Sequence, residues 1–208
     1  MARAMNQGSI QNGSVSPLRR DDSSMRSDAR RNLVRVLEAA SELFAEEGES
    51  VSMEAIAKRA GVGVGTIYRR FPTKVALGEA VIVDHLEQLG REIAVIAETA
   101  PAPTAFFDAL TRIIEVASAR RDLKTTLAGV GIDVFAVAQP VYETMNGVLD
   151  GLLRRAQAAG EVRPDVSITD VVGLLATSCN VAADAATSSR LFSIIADGLR
   201  ANPERALP

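Results

Sequence analysis

Thr66, Tyr68, Arg69, Arg70 and Lys74 stand close together in the chain: a hydroxyl, a phenol and three cations. That mixture suits anionic oxygen, above all the phosphates of nucleic acid, and does not by itself make or break bonds. Gly63 and Gly65 lie just ahead and remove side chains where a backbone would approach phosphate closely. Taken singly, each residue has a plainer role. Tyr68 could be a core aromatic with its hydroxyl at the surface, and Arg69–Arg70 a solvated pair.

Bond-making chemistry is poorly supplied. The 208 residues hold one histidine, His85, and one cysteine, Cys179. Most acid–base and nucleophilic constellations are thereby excluded, and no Gly-x-Ser-x-Gly, His-Glu-x-x-His or phosphate loop is present. Carboxylate pairs remain the open route to a helical enzyme, and a helical protein-interaction module is a third reading. His85 has no second ligand nearby and Cys179 no disulfide partner, so neither a metal nor a cofactor is expected.

The elements that must position the cluster follow from periodicity. Leu33, Val36, Leu37, Ala40, Leu43 and Phe44 recur at the spacing of one helix face, with Asp28 as a candidate N-cap and Gly48 as a stop. Ser52 can cap a second, short helix, with Val51 and Ile56 as a hydrophobic staple and Gly61 as its terminator. A third short helix covers 62–71, with Val62, Ile67 and Phe71 turned inward. Pro72 ends it, and Thr73 can cap a long helix over 74–97. Further helices are expected at 104–120, 122–129, 133–159, 168–182 and 186–201, with Ser167 and Asp170 as a capping box. No segment alternates as a strand does.

Residues 1–28 are rich in Ser, Gly, Asn and Asp and read as a disordered arm. Residues 29–77 read as a helix-turn-helix domain, 78–202 as a regulatory domain and 203–208 as a flexible tail. With 47% hydrophobic residues the chain can bury a sizeable core. No uncharged apolar stretch reaches the roughly 18 to 20 residues of a membrane span, and the start lacks a signal-like run. A cytoplasmic protein without a membrane partner is expected. The formal net charge is −3, yet between residues 52 and 78 Lys58, Arg59, Arg69, Arg70 and Lys74 face only Glu54. A basic patch on an acidic molecule suits one DNA-facing end.

The run Ala57, Ala60-Gly61-Val62, Gly65-Thr66, Tyr68, Phe71-Pro72, Lys74, Ala76-Leu77 resembles the DNA-binding signature of the TetR (tetracycline-repressor-like) family. The later segments LLRRAQAAGEVRPD, ITDVVGLL and RLFSIIADGLRA are similar to that family's last helices. The resemblance implies an all-α fold: an N-terminal three-helix helix-turn-helix domain, then a helical dimerisation and ligand-binding domain. It implies a homodimer on a palindromic double-stranded operator, a repressor released by an unknown small-molecule effector. Gly63 stands where many members carry Ser, and Val75 where Glu is frequent.

By the same resemblance Thr66 and Tyr68 would contact the sugar-phosphate backbone, and Lys74 a phosphate beside its helix N-terminus. Gly63, Val64 and Gly65 lie at the head of the recognition helix, where Val64 could touch a thymine methyl. Arg69 and Arg70 would meet phosphate, with Arg69 in reach of a guanine. Met53 and Glu54 start the preceding helix, a second point of DNA contact. Leu174, Leu175, Leu191, Ile194, Ile195 and Leu199 would form the dimer surface. His85, Gln88, Phe107, Phe135 and Tyr142 are the candidate lining of an effector cavity.

Overall fold

The first amphipathic stretch is helical from Asp22 to Glu47 (α1) in the computed structural model, which describes residues 22–182 and 184–201. Helix α1 begins ahead of the expected cap: Asp28 lies inside it and pairs with Arg31 one turn on. Neither Gly nor Pro interrupts residues 22–47, so nothing stops the helix from running backwards past Asp28. The rest of the expected arm, residues 1–21, and the expected tail lie outside the described residues.

A 3-10 turn at Gly48–Ser50 leads to α2 (Met53–Ala60). The Ser52 hydroxyl accepts from the Ala55 N–H at 3.1 Å, and Val51 and Ile56 are both buried. Gly61 takes φ 66°, which lets the Val62 N–H reach back to the Ala57 carbonyl at 3.0 Å. Then come α3 (Val64–Arg70) and α4 (Lys74–Thr99), the latter capped by Thr73 on the Ala76 N–H at 3.0 Å. Five more helices follow: α5 (Ala102–Ala119), α6 (Arg121–Gly129), α7 (Val134–Ala158), α8 (Ile168–Val181) and α9 (Ala185–Leu199). Ser167 and Asp170 form the expected capping box at α8. Among the described residues there is no strand, only one isolated bridge between Val162 and Arg200.

Helices α1–α3 make a head, and α4 runs from it into a body where it packs along α7 and α5. Two apolar clusters result. The first joins Phe44, Ile56, Ile67 and Leu77 to Leu123, Leu127 and Ile132, so α6 and the turn after it pack into the head's own core. The second gathers Leu89, Ile93, Phe106, Leu110, Leu149, Leu152, Leu153 and Leu199. Gly78 lets α4 lie close against α6 and the turn after it: a Cβ there would lie 2.9 Å from Leu127 Cδ2 and 2.6 Å from Ile132 Cδ1. Head and body are therefore packed into one another, which makes movement of α6 or α4 a movement of the head.

Candidate nucleic-acid interface

Helix α3 is held from below by Ile67, which is 1% exposed, and by Phe71 just after it. Everything else on it faces solvent. Val64 is 37% and Tyr68 44% exposed, and Thr66, Arg69 and Arg70 are exposed beside them. Two apolar anchors thus fix a short helix whose outer surface offers a methyl group, a hydroxyl, a phenol and two guanidiniums. Gly63 is its N-cap and supplies no side-chain hydrogen bond. A Cβ added at Gly65 would meet nothing within 4 Å, so the space this glycine leaves open lies outside the protomer.

Tyr68 Oη sits 3.5 Å from Glu54 Oε1, at the limit of a hydrogen bond. The phenol and the first turn of α2 therefore share one surface. Lys74 is more committed: its ammonium donates to the carbonyls of Glu49 at 2.6 Å and Val51 at 3.2 Å. An ammonium has a third donor, which leaves Lys74 one direction in which to meet another acceptor.

Two readings change. Met53, placed among the DNA-contacting residues by resemblance, is 5% exposed and belongs to the head core, so its side chain is withdrawn from the protein surface. The first residue of a capped helix whose apolar face turns inward is buried here, a matter of helical phase. Arg59, counted in the basic patch, is paired with Glu42 at 3.0 Å and Glu46 at 2.9 Å on α1. The Arg59 hydrogen bond holds the Glu46 carboxyl below its ordinary range. The outward-facing cations near α3 are Lys58, Arg69 and Arg70.

In the body, polar groups separate the two apolar clusters. On α4 the inward stripe is apolar at Val81, Ile82, Leu89 and Ile93 but carries half-buried His85 between them. On α7, Tyr142 touches both clusters. At the α5–α6 corner stand Arg120 and Arg121, and on α8 Cys179. Arg121 clamps the start of α6 to the α8–α9 turn, donating to the Ala182 carbonyl and, at 3.1 Å, to Ser188 Oγ. Burial, with the charge of Arg120 nearby, pushes the His85 imidazole down to about 4, so it is neutral at pH 7. Burial pushes the Tyr142 phenol and the Cys179 thiol up.

Of the expected cavity lining, His85 and Tyr142 belong to this layer. Gln88 is exposed beside it and donates to Glu92 at 3.2 Å. Phe107 is elsewhere: thirteen residues, about 20 Å, along α5 from Arg120. It packs edge-on to Phe106, with the Arg200 guanidinium 4.6 Å over its ring. The Phe135 side chain lies outside the described residues. Arg120 and Arg121 escaped the sequence reading, although the lapse of apolar periodicity between Val116 and Leu123 marks their place.

The expected dimer residues divide by phase. Leu174 (47%) and Ile194 (69%) are exposed, and with Leu191, Ile195, Gly173 and Thr177 they line an open groove of about 660 Å³ between α8 and α9. Leu175 and Leu199 point into the protomer's own core and are withdrawn from the surface. Leu174, next to Leu175 in sequence, carries the outer face instead.

Residues 36–81 match the family described as bacterial regulatory proteins, tetR family, and residues 101–201 the transcriptional regulator SbtR-like, C-terminal domain. The structure resembles a TetR transcription regulatory protein from Mycobacterium vanbaalenii, with 38% identity, TM-score 0.69, and coverage of 85% of this chain and 99% of that one. It also resembles the TetR regulator SCO0520 from Streptomyces coelicolor, with 31% identity, TM-score 0.65, and coverage of 82% and 99%. In sequence it is 28% identical to the HTH-type transcriptional regulator UidR of Escherichia coli over 147 residues, 69% of this chain and 75% of that protein. Family members bind DNA and typically form dimers, and the family is one of regulators, not of enzymes. No helix among the described residues is long and apolar enough to cross a membrane. With an anchored α3 displaying DNA-compatible side chains on a matching all-helical body, this chain belongs to the TetR family of DNA-binding transcriptional regulators.

Proposed function

We propose that the protein is a cytoplasmic repressor that holds a palindromic operator as a homodimer and leaves it when a small molecule binds the body. The observation that carries this reading is the outer face of α3, exposed as a whole above the two buried anchors Ile67 and Phe71. Thr66, Tyr68 and the third donor of Lys74 meet phosphate and sugar and set register. Gly63 and Gly65 let backbone come close, Arg69 and Arg70 add charge, and Val64 and Arg69 read base edges. Glu54 flanks this face and tolerates only a limited approach of phosphate.

The second copy packs on the groove of Leu174, Leu191, Ile194 and Ile195, an exposed apolar face of the kind that marks an interface. Two recognition helices must then lie about 34–36 Å apart to enter successive major grooves. Effector binding among α4, α5, α6 and α7 changes that spacing, because α4 carries the head and α6 packs into the head's core. The effector must bind the DNA-incompetent spacing better than the competent one, since equal affinity shifts nothing. DNA then weakens effector binding by the same factor, with a coupling of about 1–3 kcal/mol. A gel-shift against the region upstream of the protein's own gene tests the reading. Retardation by the dimer is expected, and no preference over unrelated DNA would refute it.

A further inference from the structure

The polar layer between the two clusters holds one group whose bonding capacity is unspent. Arg120 is at once the last residue of the α5 turn and the residue ahead of α6, so its backbone is fixed at that corner. Its Nη1 is buried and has no hydrogen-bond partner among the described residues. A buried guanidinium N–H without an acceptor costs free energy, and an ion-pairing carboxylate is the group that relieves this best.

Among the described residues no carboxylate serves. Asp84 and Glu92 are close enough for their charge to favour the guanidinium, yet neither forms an ion pair with Arg120 among the described residues. Glu92 is taken by Arg112 at 2.7 Å and by Gln88. The Arg120 charge acts on half-buried His85, neutral at pH 7, while Tyr142 lies near Cys179, on which Arg121 and Lys124 act in turn.

We propose that the effector carries a carboxylate, and that the Arg120 guanidinium holds it in the polar layer between α4, α7 and the α5–α6 corner. The inference rests on the reading of the body as an effector-binding domain and names the chemical class of that effector. A carboxylate drawn onto Arg120 pulls on the first turn of α6, whose Leu123 and Leu127 lie in the head's core. Recognition at the corner is thereby tied to the position of α3.

The test is calorimetric titration of the full chain with sodium octanoate and sodium benzoate, each set against 1-octanol or benzyl alcohol. The carboxylates bind and the matched alcohols do not. Arg120→Gln weakens carboxylate binding by about tenfold or more, Arg120→Lys by less, as expected for a lost charged hydrogen bond. Arg154→Gln, which removes a cation paired with Asp150 on the surface of α7, changes nothing. Equal binding of acid and alcohol, no carboxylate binding tighter than about 1 mM, or undiminished binding by Arg120→Gln overturns the proposal. The acid–alcohol contrast on the unaltered protein decides even if Arg120→Gln does not fold. Operator binding by the ligand-free protein is measured alongside. Specific retardation without carboxylate binding sinks this inference alone, whereas failure to retard DNA sinks the regulatory reading itself.

Discussion

The ammonium of Lys74, first residue of α4, is hydrogen-bonded to the carbonyl of Glu49 at 2.6 Å, which ties the start of the connecting helix to the turn between α1 and α2. The same turn abuts α6: a Cβ on Gly129 would lie 2.1 Å from Glu49 Oε1. One lysine thus stands where recognition helix, connecting helix and body converge.

Lys74→Ala should act in two ways. Losing two bonds to backbone carbonyls, the one to Val51 partly buried, costs about 1–2 kcal/mol, read as a lower melting temperature. Losing a phosphate contact weakens specific and unrelated DNA alike and lowers the salt slope by about one unit. An unchanged slope beside a lowered melting temperature would make Lys74 purely structural.

Contacts on α3 should divide by what they touch. Tyr68→Phe and Thr66→Ala reduce affinity for all sequences in parallel. Val64→Ala and Arg69→Ala alter base preference, each good base contact being worth about 1–3 kcal/mol. Binding-site selection with each variant measures this, and an unaltered consensus for both Val64 and Arg69 would remove them from base reading.

Gly63→Ser restores the hydroxyl cap that α3 lacks. A Cβ there meets nothing nearer than Thr66 Oγ1 at 3.9 Å, so the serine fits without rearrangement. Stability should rise by a few tenths of a kcal/mol, about what separates Gly from Ser at an N-cap. Chemical denaturation reads the change, and a loss of stability would show that the cap geometry is not the one described.

Leu174→Glu with Ile194→Glu places charges on the exposed α8–α9 groove and should give a folded monomer that has lost specific DNA binding. Sedimentation with circular dichroism checks both halves of that statement. The inward-facing Leu175 is unsuitable for this purpose, since a charge there would unfold the protomer. A double variant that stays dimeric would move the interface elsewhere.

His85 should make stability depend on acid. Its imidazole titrates near 4 in the fold, against about 6.5 when unfolded, so the unfolded chain binds the extra proton between those values. Stability contributed by the neutral ring is full above about pH 6.5 and fades as pH falls towards 4. Partial exposure limits the effect to about 1 kcal/mol, or roughly 2–4 °C in melting temperature. Arg120 is the charged neighbour that lowers it further, and Glu92, Asp84 and Arg112 act in turn on Arg120. His85→Gln should flatten the melting curve against pH over that window, and a variant as acid-sensitive as the parent would contradict the assignment.

Local chemistry was legible in the chain itself. Ser52, Gly61, Pro72, Thr73 and the Ser167–Asp170 pair mark helix ends through bonds that close within a few residues, so sequence alone placed them. The exposed face of α3 was legible for the same reason, since Ile67 and Phe71 are one turn apart and fix its phase. What sequence could not supply was anything decided by a partner distant in the chain. Arg59 reads as part of a basic patch until Glu42 and Glu46 of α1 neutralise it across the head. Met53, Leu175 and Leu199 read as contact residues until packing turns them inward, because apolar residues side by side leave helical phase undetermined. His85 and Arg120 act on one another only because α4 and the α5–α6 corner bring two separate interruptions of their apolar stripes together. Sequence determined the elements and the class of ligand that the head meets. Tertiary structure decided which side chains are still free to meet it, because burial and ion pairing depend on neighbours that local spacing does not name.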